Sequence, residues 1–214
     1  MQDPADTILA ASNLNIITGN LLTLGNIEIT PRVVDGRGGL LLSLQGNEIE
    51  LDGDLSRSNV LDAQMTSGFL GGIRLIPNSV EQPIFIGGVD NLTDEVLDIS
   101  ADDISSIQDG FSRVQVGFLP GTASGVVNDI TIGDGSPLTL NDGFEFWTGG
   151  GIIEVASSLN LDAGGLAFIG REVNFQEDIE IRNTGTAFGL SIEPGARGQE
   201  ILIGSAVNNN DDNI

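Results

Sequence analysis

Leu138-Thr139-Leu140, Leu159-Asn160-Leu161, Ile179-Glu180-Ile181 and Ile201-Leu202-Ile203 are short apolar triplets whose first residues follow one another at intervals of 21, 20 and 22 residues. Each has the period of a strand, in which the two outer side chains point to one side and the middle one to the other. A recurrence of about 20 to 25 residues, with several short strands in each period, is what one turn of a β-solenoid requires. Ile27 and Ile49 repeat the interval of 22.

The same texture fills the rest of the chain. Leu14-Asn15-Ile16, Ile27-Glu28-Ile29, Ile49-Glu50-Leu51, Val114-Gln115-Val116, Ile130-Thr131-Ile132, Phe144-Glu145-Phe146, Val173-Asn174-Phe175 and Leu190-Ser191-Ile192 all read as strands. Asp35-Gly36, Asp52-Gly53, Asp109-Gly110, Asp134-Gly135 and Asp142-Gly143 read as the turns between them. A β-sandwich is the alternative, but its strands run longer, its turn signals come every 8 to 12 residues or so, and it needs no such recurrence.

Composition narrows the chemistry. The 214 residues carry 31 acidic and 8 basic side chains, a formal charge of -23, and all the basic ones are Arg. Lysine, histidine, cysteine and tyrosine are absent, and with them most nucleophiles, most bases near neutral pH and most transition-metal ligands. Such a charge repels phosphate, so nucleic acid and anionic lipid are poor partners. The apolar share of 40% is enough for a sizeable core. No stretch approaches the roughly 18 apolar residues of a membrane span, so membrane insertion is not expected, and Met1 to Asp6 lacks the basic start and apolar core of a signal peptide.

Residues 100–108 depart from the strand period and read as a short helix. Ser100 caps it, Asp103 completes a capping box, Ile99 and Ile104 form a hydrophobic staple, and Gly110 ends the turn. The acidic pair Asp102-Asp103 suits a helix N-terminus. The expected organisation is a β-solenoid segment over 1–89, an acidic loop and helix over 90–112, and a second β-solenoid segment over 113–214, together one continuous domain. The tail from Ala206 to Ile214 ends on an apolar residue with no polar cap, which is expected of a fragment of a longer chain.

The run Asp98-Ile99-Ser100-Ala101-Asp102-Asp103-Ile104-Ser105-Ser106-Ile107-Gln108-Asp109-Gly110-Phe111, continued by Ser112-Arg113-Val114-Gln115-Val116-Gly117, resembles a phrase of giant bacterial extracellular proteins. These are the filamentous-haemagglutinin-like and large adhesin-like chains of cyanobacteria and other aquatic bacteria. In them a short helix ending in Asp-Gly-Phe leads into a strand, a Gly-rich turn and a Thr-rich strand. Here Gly121-Thr122-Ala123-Ser124-Gly125 and Ile130-Thr131-Ile132-Gly133 take the last two parts. The resemblance covers about 35 residues and implies a right-handed parallel β-helix, export from the cell, and a role in adhesion or a surface fibre. The chain departs from the two-partner-secretion pattern, whose Asn-Pro-Asn motifs have only Ile76-Pro77-Asn78 as a counterpart.

Calcium is the one ligand ion the composition favours, and the candidate groups are Asp52 with Asp54, Asp90 with Asp94 and Glu95, and Asp211 with Asp212. None matches an EF-hand or a calcium-binding β-roll repeat. An acidic surface also collects cations loosely and keeps an apolar-cored fibre soluble. Parallel β-helices host carbohydrate-cleaving enzymes too, but those group carboxylates with basic residues on adjacent turns, and no such grouping is legible here. Trp147, with Phe168 and Phe175, reads as an aromatic stack of the core, with sugar stacking as the functional alternative. The eight Arg read as surface partners of acidic neighbours.

The expected function is therefore a non-catalytic structural or adhesive module of a large secreted or cell-surface protein, with no cofactor. The alternatives are a module binding glycan or calcium, and a self-assembling S-layer or sheath component that meets other copies of itself.

Overall fold

Phe144–Trp147, Ile152–Val155 and Leu159–Leu161 are followed in the chain by Leu166–Gly170, Glu172–Phe175 and Ile181–Asn183, and each of the second three pairs in parallel with its counterpart in the first. Successive strands thus go to three different sheets and then return to the first. The computed structural model describes residues 7–11, 13–31, 33–34, 37–38, 41–57, 71–90, 95–108, 110–118, 125–185 and 189–195. Over these the protein is mostly parallel β-strand with one short helix. Asp35-Gly36, Asp109, Asn91 to Asp94, Gly121 to Ser124, the Ile201 triplet, Asp211 and Asp212 lie outside the described residues.

The longest sheet has seven parallel strands in chain order: Asn13–Ile17, Leu41–Gly46, Gly72–Pro77, Arg113–Gly117, Phe144–Trp147, Leu166–Gly170 and Leu190–Pro194. Its register stacks like on like. Leu42, Ile73, Val114, Phe144 and Leu166 form one buried row, and Leu44, Leu75, Val116, Phe146 and Phe168 form the next. Each such side chain contributes on the order of 1.5 to 3 kcal/mol by leaving water. The rows join those of the other sheets in one hydrophobic core. Within it Phe146 stacks on Phe144 and Phe168 at 5.8 and 5.7 Å, and Phe175 meets Phe168 edge-on.

The register corrects two spacings read from the sequence. Leu159 pairs with Ile181, not Ile179, so that strand starts two residues later. Ile27 pairs with Leu55, and Ile49 pairs with Leu22, so the 22-residue interval between Ile27 and Ile49 is coincidence. The physical reason is that strand pairing fixes which side chains stack but leaves the connections free to vary, since loop entropy grows only slowly with length.

Residues 84–107 break the simple order. Leu97–Ile99 lies outside Ile84–Ile86 in the five-stranded sheet, so the chain doubles back before going on to Ile130–Ile132. The helix Ala101–Ser106 follows, with both bonds of the capping box formed: Asp103 N–H donates to Ser100 Oγ, and Ser100 N–H donates to Asp103 Oδ2. Ile104 and Ile107 are in the core. The helix ends earlier than the sequence suggests. Ile107 is already extended and bridges Leu55 in parallel, while Gly110, at φ 124°, serves the next turn. No helix among the described residues is long and apolar enough to cross a membrane.

Candidate functional site

Between each pair of buried rows in the seven-stranded sheet lies one row turned away from the core, because alternate residues of a strand face opposite sides. Its members are Asn15, Ser43, Arg74, Gln115, Glu145, Ala167 and Ser191, of which Ser43 and Gln115 are covered by their neighbours and buried. Arg74, Gln115 and Glu145 are joined across neighbouring strands. Arg74 Nε donates to Gln115 Oε1 at 2.9 Å, and Gln115 Nε2 donates to Glu145 Oε2 at 2.5 Å. Arg113 approaches Glu145 Oε1 at 3.5 Å. Burial and then the nearby Arg113 hold the Arg74 guanidinium below its ordinary value, with Glu145 acting the other way. Arginine nonetheless stays charged in proteins.

Trp147 stands in the next row turned away from the core, between Gly117 and Ile169. This corrects its assignment to the core stack: Phe168 is buried there and Phe175 touches it, but the strand alternation that puts Phe146 inside puts Trp147 outside, partly buried. Its indole Nε1 donates to Glu145 Oε2 at 3.4 Å. Gly117 is required opposite it. The residue has φ 94°, and a Cβ there would run into the Trp147 carbonyl oxygen.

Two shallow troughs open on this side of the sheet. One, of about 440 Å³, is lined by Arg113, Glu145, Ala167 and Ser191 over a floor that includes Gly143 and Gly165. The other, of about 280 Å³, is lined by Asn15, Ile17, Ser43, Gln45, Arg74 and Phe118. The hydrogen-bonded chain from Arg74 to Glu145 runs from one to the other. Both Glu145 oxygens already accept bonds, which suits a group that holds others in place better than a proton acceptor. The face offers planar polar groups, a guanidinium and an indole, the set that recognises hydroxyl-rich ligands by hydrogen bonding and stacking.

The sequence-derived calcium groups sit elsewhere. Asp52, Asp54, Asp90 and Glu95 are exposed, Asp54 accepts a bond from Gln108 Nε2 at 3.2 Å, and Asp94 lies outside the described residues. Among the described residues no three acidic side chains are grouped so as to hold a metal ion. Arg74, Gln115 and Glu145 escaped sequence reasoning because only the register makes them neighbours. The available signal was their place as the middle residue between buried apolar ones. Comparison with protein-family models, curated proteins and solved structures finds no match for this chain.

Proposed function

We propose that the chain is a right-handed parallel β-helix that serves as a structural and adhesive module of a large secreted or surface-exposed bacterial protein. The observation that carries this reading is the in-register parallel ladder of seven strands, with Leu42, Ile73, Val114, Phe144 and Leu166 stacked in one row. Such a ladder lengthens by repetition and gives reach and stiffness without needing a reactive centre. The right-handed sense follows the rule for parallel crossover connections. The resemblance of residues 98–117 to giant adhesin-like chains supports export, and the charge of -23 suits an apolar-cored rod that must stay dispersed in water. Small-angle scattering of the protein, together with protease shaving of intact cells that make it, tests the reading. An elongated particle and loss of the segment from intact cells are expected. A globular particle or full protection inside the cell overturns it.

A second reading, a glycan-binding face, is favoured by one observation: Trp147 is turned away from the core and bonded to Glu145. Affinity electrophoresis in acidic and neutral polysaccharides separates the two. Retention lost in Trp147→Ala supports glycan binding, and the absence of retention in the native protein leaves the structural role alone. Calcium titration by calorimetry belongs to the same experiment, with a saturable heat expected only if the acidic turns form a specific site.

A further inference from the structure

Strand Glu48–Leu51 is hydrogen-bonded as a ladder only to Leu21–Leu24, and Leu97–Ile99 only to Ile84–Ile86, although the two lie side by side. Among the described residues no ladder joins them. Side chains close the seam in its place. Leu51 N–H donates to Asp103 Oδ1 at 2.6 Å, Ser106 Oγ donates to Leu51 O at 3.1 Å, and Gln82 Nε2 donates to Asn47 O at 2.9 Å. Three carboxyl groups are buried here: Glu48 is 4% exposed, Asp98 3% and Asp103 7%. Glu48 Oε2 has no hydrogen-bond partner.

We propose that this seam is a pH-sensitive latch, closed while Glu48 carries a proton and loosened when Glu48 ionises, so that the segment from Leu97 to Ile107 comes away from strand Glu48–Leu51. The groups that face Glu48 are all acidic: Asp98 from the adjoining strand, Asp90 from the chain that leads to it, Asp103 from the helix, and Glu50 from its own strand. Among the described residues every charge that acts on Glu48 disfavours its ionised form. An ionised Glu48 would thus be buried and surrounded by like charge, which is the costliest arrangement for a carboxylate. Burial first, then Asp98, Asp90, Asp103 and Glu50, push its pKa from an ordinary 4.5 up to about 8. The closed state therefore binds more protons than the open one between these values. Its advantage is complete below pH 4.5, declines as pH rises, and is gone above about pH 8. A surface protein built this way is tightest in acid and loosens at alkaline pH.

Hydrogen exchange of the full chain, followed by mass spectrometry from pH 5 to 9 and corrected for intrinsic exchange, reads the latch directly. In peptides covering 48–51 and 97–107 the opening constant is expected to rise by about tenfold per pH unit between pH 5 and 8 and then level off, as release of one proton requires. Peptides covering 144–170 are expected to change little. Glu48→Gln, which cannot ionise, is expected to abolish the rise, and Asp98→Asn to move its midpoint to lower pH. Carbon-detected NMR of the Glu side chains supplies a reading that does not depend on either variant folding. One carboxyl titrating near pH 8 in the native protein supports the latch. Titration of every Glu below pH 6, or an unchanged rise in a folded Glu48→Gln, overturns it.

Discussion

Asp103 Oδ1 accepts a hydrogen bond from the backbone N–H of Leu51 at 2.6 Å, across 52 residues of sequence, while its other oxygen closes the cap of the helix on Ser100. One buried carboxylate thus ends a helix and completes the edge of a strand. Asp103→Ala is expected to lose the cap, about 1 kcal/mol, and to leave a buried N–H unsatisfied, about 1 to 3 kcal/mol more. Ser100→Ala loses the side-chain cap and is expected to cost about 1 kcal/mol. Urea unfolding of the two variants measures the difference, and equal losses would mean that the bond to Leu51 contributes nothing.

Gly117→Ala puts a Cβ at φ 94° against the Trp147 carbonyl oxygen. Backbone strain alone costs about 1 to 3 kcal/mol there, and the clash adds to it. Because Trp147 is the single tryptophan, its emission reports the displacement. A lower melting temperature with a red-shifted spectrum is expected, and an unshifted spectrum at native stability would contradict the close approach.

Phe146 is fully buried between Phe144 and Phe168, whereas Phe175 keeps 41% exposure. Phe146→Ala is expected to cost about 3 to 5 kcal/mol through loss of contacts and the cavity left behind. Phe175→Ala is expected to cost no more than about 1 to 2 kcal/mol, having less surface to lose. Chemical denaturation orders the pair.

Asn128 is fully buried, and neither polar atom of its side chain has a hydrogen-bond partner. Replacing an unsatisfied amide by an apolar group of similar volume removes a desolvation cost of about 1 to 3 kcal/mol. Asn128→Leu is therefore expected to melt at the same temperature or higher. A marked fall would show that the amide is satisfied in solution by bound water.

Much of this was legible in the sequence. Val114-Gln115-Val116 and Phe144-Glu145-Phe146 announce strands and both form, the second with one buried side as read and the first with its middle residue, Gln115, buried as well. Ser100 and Asp103 announce a capped helix, which forms one residue after the cap. The row of Arg74, Gln115 and Glu145 was not legible, because Gln115 and Glu145 are 30 residues apart and nothing local ties them together. Trp147 was misplaced for a related reason: aromatic character argues for burial, but the alternation set by Phe146 decides its side. The Glu48 seam was invisible too, since an alternating strand places Glu48 among solvent-facing residues until Asp98 and the helix are laid against it.

The sequence by itself determined many of the strands, the core side chains those strands carry and the helix cap, because each depends on neighbours a few residues away and on a fixed backbone period. Only the tertiary structure decided which strands lie side by side, the doubling back that sets Leu97–Ile99 outside Ile84–Ile86, and hence which polar groups meet. The reason is that ladder hydrogen bonds join backbone to backbone without regard to side-chain identity, while connections of different length cost nearly the same entropy. Register is then chosen by the fit of whole rows of buried side chains, a property of the assembled sheets that no single stretch contains.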